Sequence, residues 1–447
     1  MMAVRREAQG NPVVAIVDAY STARHLAPLF HGRGYDCVHV QSTAKLPEDA
    51  YTFRSENFID NVVLSGDRES LVTAIAAHRP VAVLAGADEG VEVVDFLSER
   101  LGLRTNGTAL SHVRRDKFSM VEAIKAAGLR GASQTLATDG ASLLRWYGSC
   151  GFERVVVKPL HSTGNDGVFF CQTEDEVASA FDQLVGTDNA LQRKNNAVVA
   201  QEYLEGVEYY VNTVSVEGRH FVSDVHSTSH LNVNGILDLL GGSQLLPRRG
   251  PVQDELTAYA FAVLDVLGIT NGPAHTELKL TPDGPCLVET HARVCGADLP
   301  LLVRSALGES QLEWTVDAYV NPERFDDPRR SDYVIDRHAV CVNMISSGSG
   351  VLVAYPKLDQ LRSLPSFHAA LVRVAPGQQI DRTVGDFSYP ILIHLLHPSL
   401  TVVERDYATI RYLDGDGFYQ VAKCGLLPDG RGKTNRECGL TLSQWKR

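Results

Sequence analysis

Apolar and polar positions follow two alternating periods in the first quarter of the chain. Val13-Val14-Ala15-Ile16-Val17 and Pro80-Val81-Ala82-Val83-Leu84-Ala85 are short, nearly unbroken apolar runs. Such runs suit strands buried on both faces. Tyr35 to Val40 reads as another strand. Between them residues 21–33 form a helical stretch, and after Asp88-Glu89 the residues Val91, Val94, Leu97 and Leu101 line one helical face. Strand and helix in alternation predict βαβ units, hence a parallel sheet covered by helices. Residues 1–115 are assigned to this first domain. No GxGxxG follows its first strand, which leaves a dinucleotide site without support.

The pattern then changes. A helix is expected from Lys117 to Ala127, closed by Gly128. Thr173-Glu174-Asp175-Glu176 has the form of a capping box before a helix with Val177, Phe181 and Leu184 on its apolar stripe. The polar stretch 186–196 predicts a loop, residues 253–267 an amphipathic helix and residues 309–319 another. The charged, proline-bearing run 321–330 predicts a linker. Alternation in Val334 to Ile345 and in Phe367 to Val374 makes the region 331–447 β-rich.

The first chemical signal is a hairpin. His275-Thr276-Glu277-Leu278-Lys279-Leu280 and Pro285-Cys286-Leu287-Val288-Glu289-Thr290-His291 flank the turn Thr281-Pro282-Asp283-Gly284. A turn centred near Asp283 sets Glu277 opposite Glu289. Like charges facing each other destabilise a sheet, and a hard divalent cation between them removes the fault. His291 and Arg293 continue on the Glu289 face, where Arg293 offers a planar fork to a carboxylate or phosphate. A solvated acidic strand face fits the hairpin alone equally well.

Three further motifs are weaker singly. Val155-Val156-Val157-Lys158-Pro159 delivers a lysine to the loop Leu160-His161-Ser162-Thr163-Gly164-Asn165-Asp166-Gly167, whose amides can cradle phosphate. Gln201-Glu202-Tyr203-Leu204-Glu205-Gly206-Val207-Glu208 is a polar crossover whose backbone can read a base edge and whose acid can accept from ribose. Arg114-Arg115-Asp116-Lys117 opens a helix with cations. Each alone also reads as an ordinary turn or a solvated helix start.

In order and spacing, this series over residues 1–300 resembles the ATP-grasp superfamily. The segment Glu289-Thr-His-Ala-Arg-Val-Cys-Gly-Ala-Asp and a β-rich C-terminal region of about 115 residues resemble its L-amino-acid ligases, which make dipeptides. The resemblance implies an α/β and α+β architecture: a Rossmann-like pre-ATP-grasp domain, an ATP-grasp region at 116–330 with a mobile lid at about 130–200, and a β-rich C-terminal subdomain. It implies that Lys117 and Lys158 contact ATP phosphates, that Ser162, Thr163, Gly164 and Gly167 belong to the closing loop, that Gln201, Glu202 and Leu204 line adenine, and that Glu208 holds ribose. Glu277 and Glu289 would bind two magnesium ions, with manganese as an alternative. Arg293 would orient an acyl phosphate or substrate carboxylate beside Gly296. The family commonly has asparagine where this chain has His291, which leaves open whether His291 takes the metal. His226 and His230 are candidates for a substrate-pocket wall.

Composition narrows the classes. The formal charge of −12 opposes a general nucleic-acid binder. No apolar run reaches about 18 residues, and the start lacks the form of a signal peptide. Eight scattered cysteines without a CxxC pair suggest reduced thiols and a cytoplasmic setting. The expected activity is an ADP-forming ligase joining two amino acids, as a dipeptide or γ-glutamyl product, through an acyl phosphate. A biotin-carboxylase-like component and a non-catalytic nucleotide-binding regulator are the alternatives. The oligomeric state is open, a homodimer included.

Overall fold

The computed structural model describes residues 10–422 apart from residues 45, 47, 163, 190–192, 331 and 416. Four parallel strands, β1 (Val13–Val17), β2 (Asp36–Gln41), β3 (Asp60–Val63) and β4 (Pro80–Ala85), form the first sheet in the order β3-β2-β1-β4. Both faces of β1 are buried. Val14 and Ile16 pack with Leu26 and Phe30, and Ala15 and Val17 with Val93 and Leu97. This accounts for the unbroken apolar run. Past β4, Gly86 lies where any Cβ would meet the Asp18 carbonyl. That close approach sets Asp88 at the carboxyl edge of the sheet, where open α/β sheets receive ligands. Residues 21–33 prove to be a 3-10 turn, Ser21–His25, leading into a short helix, Leu26–His31.

The second sheet is antiparallel, in the order β5-β8-β6-β7: β5 (Gln134–Ala137), β6 (Val155–Pro159), β7 (Phe169–Cys171) and β8 (Val198–Glu202). Helices Gly140–Cys150 and Glu174–Leu184 cover it through Leu143, Val177, Phe181 and Leu184. At the second helix the Thr173 side chain accepts from the Glu176 amide, but Glu176 reaches back to the amide of Gln172 and not to that of Thr173.

The central sheet has eight strands. Its first five are β9 (Val207–Val216), β10 (Arg219–Val233), β11 (Ile236–Leu245), β12 (Gly272–Thr281) and β13 (Gly284–His291). The C-terminal stretch supplies β14 (His338–Asn343), β15 (Gly350–Ala354), β16 (Phe367–Val372), β17 (Gln379–Ile380), β18 (Ile391–His397) and β19 (Gln420–Ala422). The central order is β13-β12-β9-β10-β11-β14-β18-β16, so β14, β16 and β18 extend the sheet formed by the first five strands, while β17-β15-β19 stand apart. The strand expected over Val334 to Ile345 is shorter, β14 alone. After the hairpin there are two helices, Leu299–Leu307 and Gln311–Val320, where one was expected. Pro300 at the first turn and Gly308 at the cap mark the first of them. Among the described residues no helix is long and apolar enough to cross a membrane.

Candidate functional site

In the β12–β13 ladder Glu277 is the Cα partner of Glu289, and His275 of His291. Cations from elsewhere offset the like charges. The ammonium of Lys117, first residue of the helix Lys117–Ala126, donates to Glu289. His275 sets Nε2 3.1 Å from Glu277 Oε1 and Nδ1 2.7 Å from Asn212 Oδ1. Burial opposes the Glu277 charge, but the His275 hydrogen bond and the charges of His275, His291 and Lys117 outweigh it and hold the carboxyl at about 2. His275 is raised to about 9, because Cys295 and Glu277 outweigh its burial. One ligand atom from each of Glu277, Glu289 and His291 falls within 4.8 Å of the other two. A donor set this compact fits a divalent cation.

Next to the hairpin lies a junction that the sequence did not single out as a site. Asp88 Oδ2 accepts from Arg293 at 2.9 and 3.1 Å, Oδ1 lies 2.9 Å from His291 Nδ1, and Arg115 stands 3.4 Å away. Burial opposes the Asp88 charge, yet Arg293, His291 and Arg115 hold its carboxyl far below the usual range. Arg293 was expected to reach for phosphate or substrate; here its fork closes on Asp88. The available signal was the position of Asp88 just beyond a parallel strand.

Lys158 is the penultimate residue of β6 and is buried near the same acids. Burial lowers it to about 8 against the pull of Glu277 and Glu208, while burial and the like charge of Lys158 lower Lys117 to about 7. Two desolvated lysines beside two acids suit a polyanion carried with metal. Gly164 and Gly167 both hold positive φ, +66° and +70°. The Gly164 carbonyl accepts from the Asp386 amide at 3.2 Å. This loop, residues 235–237 and residues 384, 385, 387 and 388 together line a cavity of about 430 Å³. Ser162 is buried; Thr163 lies outside the described residues.

Farther along the crossover, Gln201 donates to Gln134, and Leu204 packs on Val121, Ala132 and Cys286. Glu202 ends β8. Glu208 is pushed up to about 7 by burial and by Glu277, with His230 Nε2 at 3.7 Å. Lys279, absent from the expected set, donates to Asp238 at 2.6 Å and stands 4.8 Å over the Tyr203 ring. His226 is not brought to the acids directly. It is buried, with Nε2 3.1 Å from Asp224, which Asn212 links to His275. Gly296 faces open space where a Cβ would stand.

Residues 152–299 match the ATP-grasp domain family. Dapdiamide A synthase from Enterobacter agglomerans is 31% identical over 421 residues, spanning 91% of this chain and 97% of that protein. The chain belongs to the ATP-grasp family. Within it, this ATP-grasp ligase falls with the amino-acid ligases. An L-arginine-specific L-amino acid ligase from Bacillus subtilis is 20% identical over 251 residues, covering 55% of this chain and 60% of that one. The crystal structure of an L-amino acid ligase from Bacillus licheniformis shares the fold at a TM-score of 0.73 and 18% identity, over 93% of this chain and all of that chain. The ligase therefore uses ATP and joins amino acids with formation of an amide bond and ADP.

Proposed function

We propose that this site activates the carboxylate of one amino acid as an acyl phosphate and passes it to the amine of a second. A carboxylate oxygen attacks the γ-phosphorus of ATP and ADP leaves. The amine nitrogen then attacks the acyl carbon, loses a proton, and phosphate departs. Such chemistry asks the protein for positioning and charge compensation. Lys117 and Lys158 hold the phosphates, the loop with Ser162, Thr163, Gly164 and Gly167 closes over them, and Gln201, Glu202, Leu204 and Glu208 seat the nucleoside. Glu277 and Glu289 would hold divalent cations, which would neutralise phosphate charge. Arg293, fixed by Asp88, borders the substrate side near Gly296, with His230 and the buried His226 behind the pocket.

The observation that carries this reading is the facing pair Glu277 and Glu289, with Lys117 paired to Glu289 and the buried Lys158 within the electrostatic reach of Glu277. The relatives named for dapdiamide A, for L-arginine and for alanine with anticapsin support amino acids as both substrates. The test is phosphate release from ATP across amino-acid pairs, with product mass measured. A dipeptide mass together with ADP is expected. ATP binding without a condensed product from any pair would overturn the proposal.

A further inference from the structure

His291 departs from the family pattern, and its surroundings give the departure a purpose. Asp88 Oδ1 lies 2.9 Å from its Nδ1. Asp88 also accepts from Arg293, so it acts as an acceptor and the Nδ1 of His291 carries the proton. Nε2 is the ring nitrogen turned to the acids. It lies 3.4 Å from Glu289 Oε1, while Oε2 of that carboxylate takes the Lys117 ammonium. Glu277, Glu289 and His291 thus bring one ligand atom each to within 4.8 Å of the others, a spacing that one shared dication can bridge. The neighbouring ring, His275, is stacked at 5.9 Å with both nitrogens already engaged by Asn212 and Glu277.

We propose that His291 Nε2 is a metal ligand, oriented by Asp88, and that it makes this site select a first-row transition dication over magnesium. The inference rests on Glu277 and Glu289 being the metal's carboxylate ligands. Magnesium favours oxygen, whereas imidazole adds affinity along the first-row series, so cobalt should bind more tightly than manganese and manganese more tightly than magnesium. A carboxylate behind a ligating histidine fixes its tautomer and direction. Asp88 opens the 3-10 turn just beyond β4 of the N-terminal sheet, so metal capture would tie that turn to the hairpin.

The full chain with ADP is titrated with Mn²⁺, Co²⁺ and Mg²⁺ by calorimetry, and the Mn²⁺ complex is examined by pulsed electron paramagnetic resonance. Nitrogen coupling is expected, shifting when the protein is labelled with ¹⁵N-histidine, which separates it from adenine nitrogen. His291→Asn should abolish the coupling and weaken Mn²⁺ and Co²⁺ by about tenfold or more, with a smaller change for Mg²⁺. Binding of Mn²⁺ without histidine coupling in the unaltered protein would overturn the inference and leave the hairpin's metal role standing. Coupling that survives in His291→Asn would assign the nitrogen to His275 and also overturn it. No metal binding at all would sink both.

Discussion

Asp88→Asn isolates the electrostatics of the junction. Asparagine keeps the shape and one acceptor for His291 but removes the charge. Arg293 and Arg115, with side chains 13% and 7% exposed, then share a dry site without their common anion. A single ion pair about 4 Å apart is worth about 4 kcal/mol at an effective dielectric of about 20. Removing one member of a buried pair costs about 3–5 kcal/mol. The two routes agree on about 4 kcal/mol, roughly a thousandfold in an opening equilibrium. Asp88 follows the first sheet and Arg293 the β12–β13 hairpin, so the loss should appear as separation of the N-terminal sheet from the hairpin. Hydrogen exchange at the amides of Val91–Arg100 and around Arg293, compared with the helix Glu174–Leu184 on the second sheet, reads this locally. Faster exchange by about two to three orders of magnitude at the first two places, with little change in that helix, is expected. A junction shift below about 1 kcal/mol, the level of a solvated surface pair, would refute the claim that these groups are buried partners.

Glu289→Gln should cut turnover by about two to three orders of magnitude. It should not raise the melting temperature of the metal-free protein, because Lys117 loses its partner as Glu277 is relieved; a rise of several degrees would count against the Lys117 contact. Gly164→Val puts a branched side chain at φ +66° with its Cβ 2.9 Å from Phe387. At about 1–2 kcal/mol of backbone strain, the ATP KM should rise by about tenfold, and Phe387→Ala should recover the steric part; unchanged ATP kinetics would remove the loop from the site. His39 is buried and lowered to about 4, chiefly by desolvation, with Nε2 accepting from the Ala19 amide. The unfolded chain binds the proton first, so its stability contribution is complete above about pH 6.5 and is lost towards pH 4, up to about 3 kcal/mol. His39→Gln should flatten that part of a melting-temperature profile, and an unaltered profile would assign the acid sensitivity elsewhere.

What the sequence revealed of this site depended on how far its effects reach along the chain. The Glu277–Glu289 register was legible because strand side chains repeat every two residues and a short turn fixes the pairing. The parallel sheet was legible from apolar runs buried on both faces. Asp88 was not, because its partners lie 203 and 205 residues away and only domain docking brings them together. Lys279 and Asp238, 41 residues apart, meet only once the central sheet has formed. His226 and His230 look alike four residues apart, yet one sits against Asp224 inside the sheet and the other near Glu208 in the pocket. Leu245, the strand partner of His226, packs with Leu299 and Leu302 of the helix that the sequence reading passed over.

The same separation bears on how the site forms. An isolated β12–β13 hairpin would carry Glu277 against Glu289 with only the rings of His275 and His291, from its own strands, to offset them. The Lys117 ammonium arrives on a helix, Lys158 from the second sheet, and Asp88, the acid beside His291, from the turn that follows the first. Each compensating group is buried, and a buried charge is costly until its partner arrives. The acids and the cations therefore stabilise one another only in the docked arrangement. A metal-binding curve for this ligase should accordingly report domain docking as well as ligand strength, and a metal that binds without protecting the Val91–Arg100 amides would separate the two.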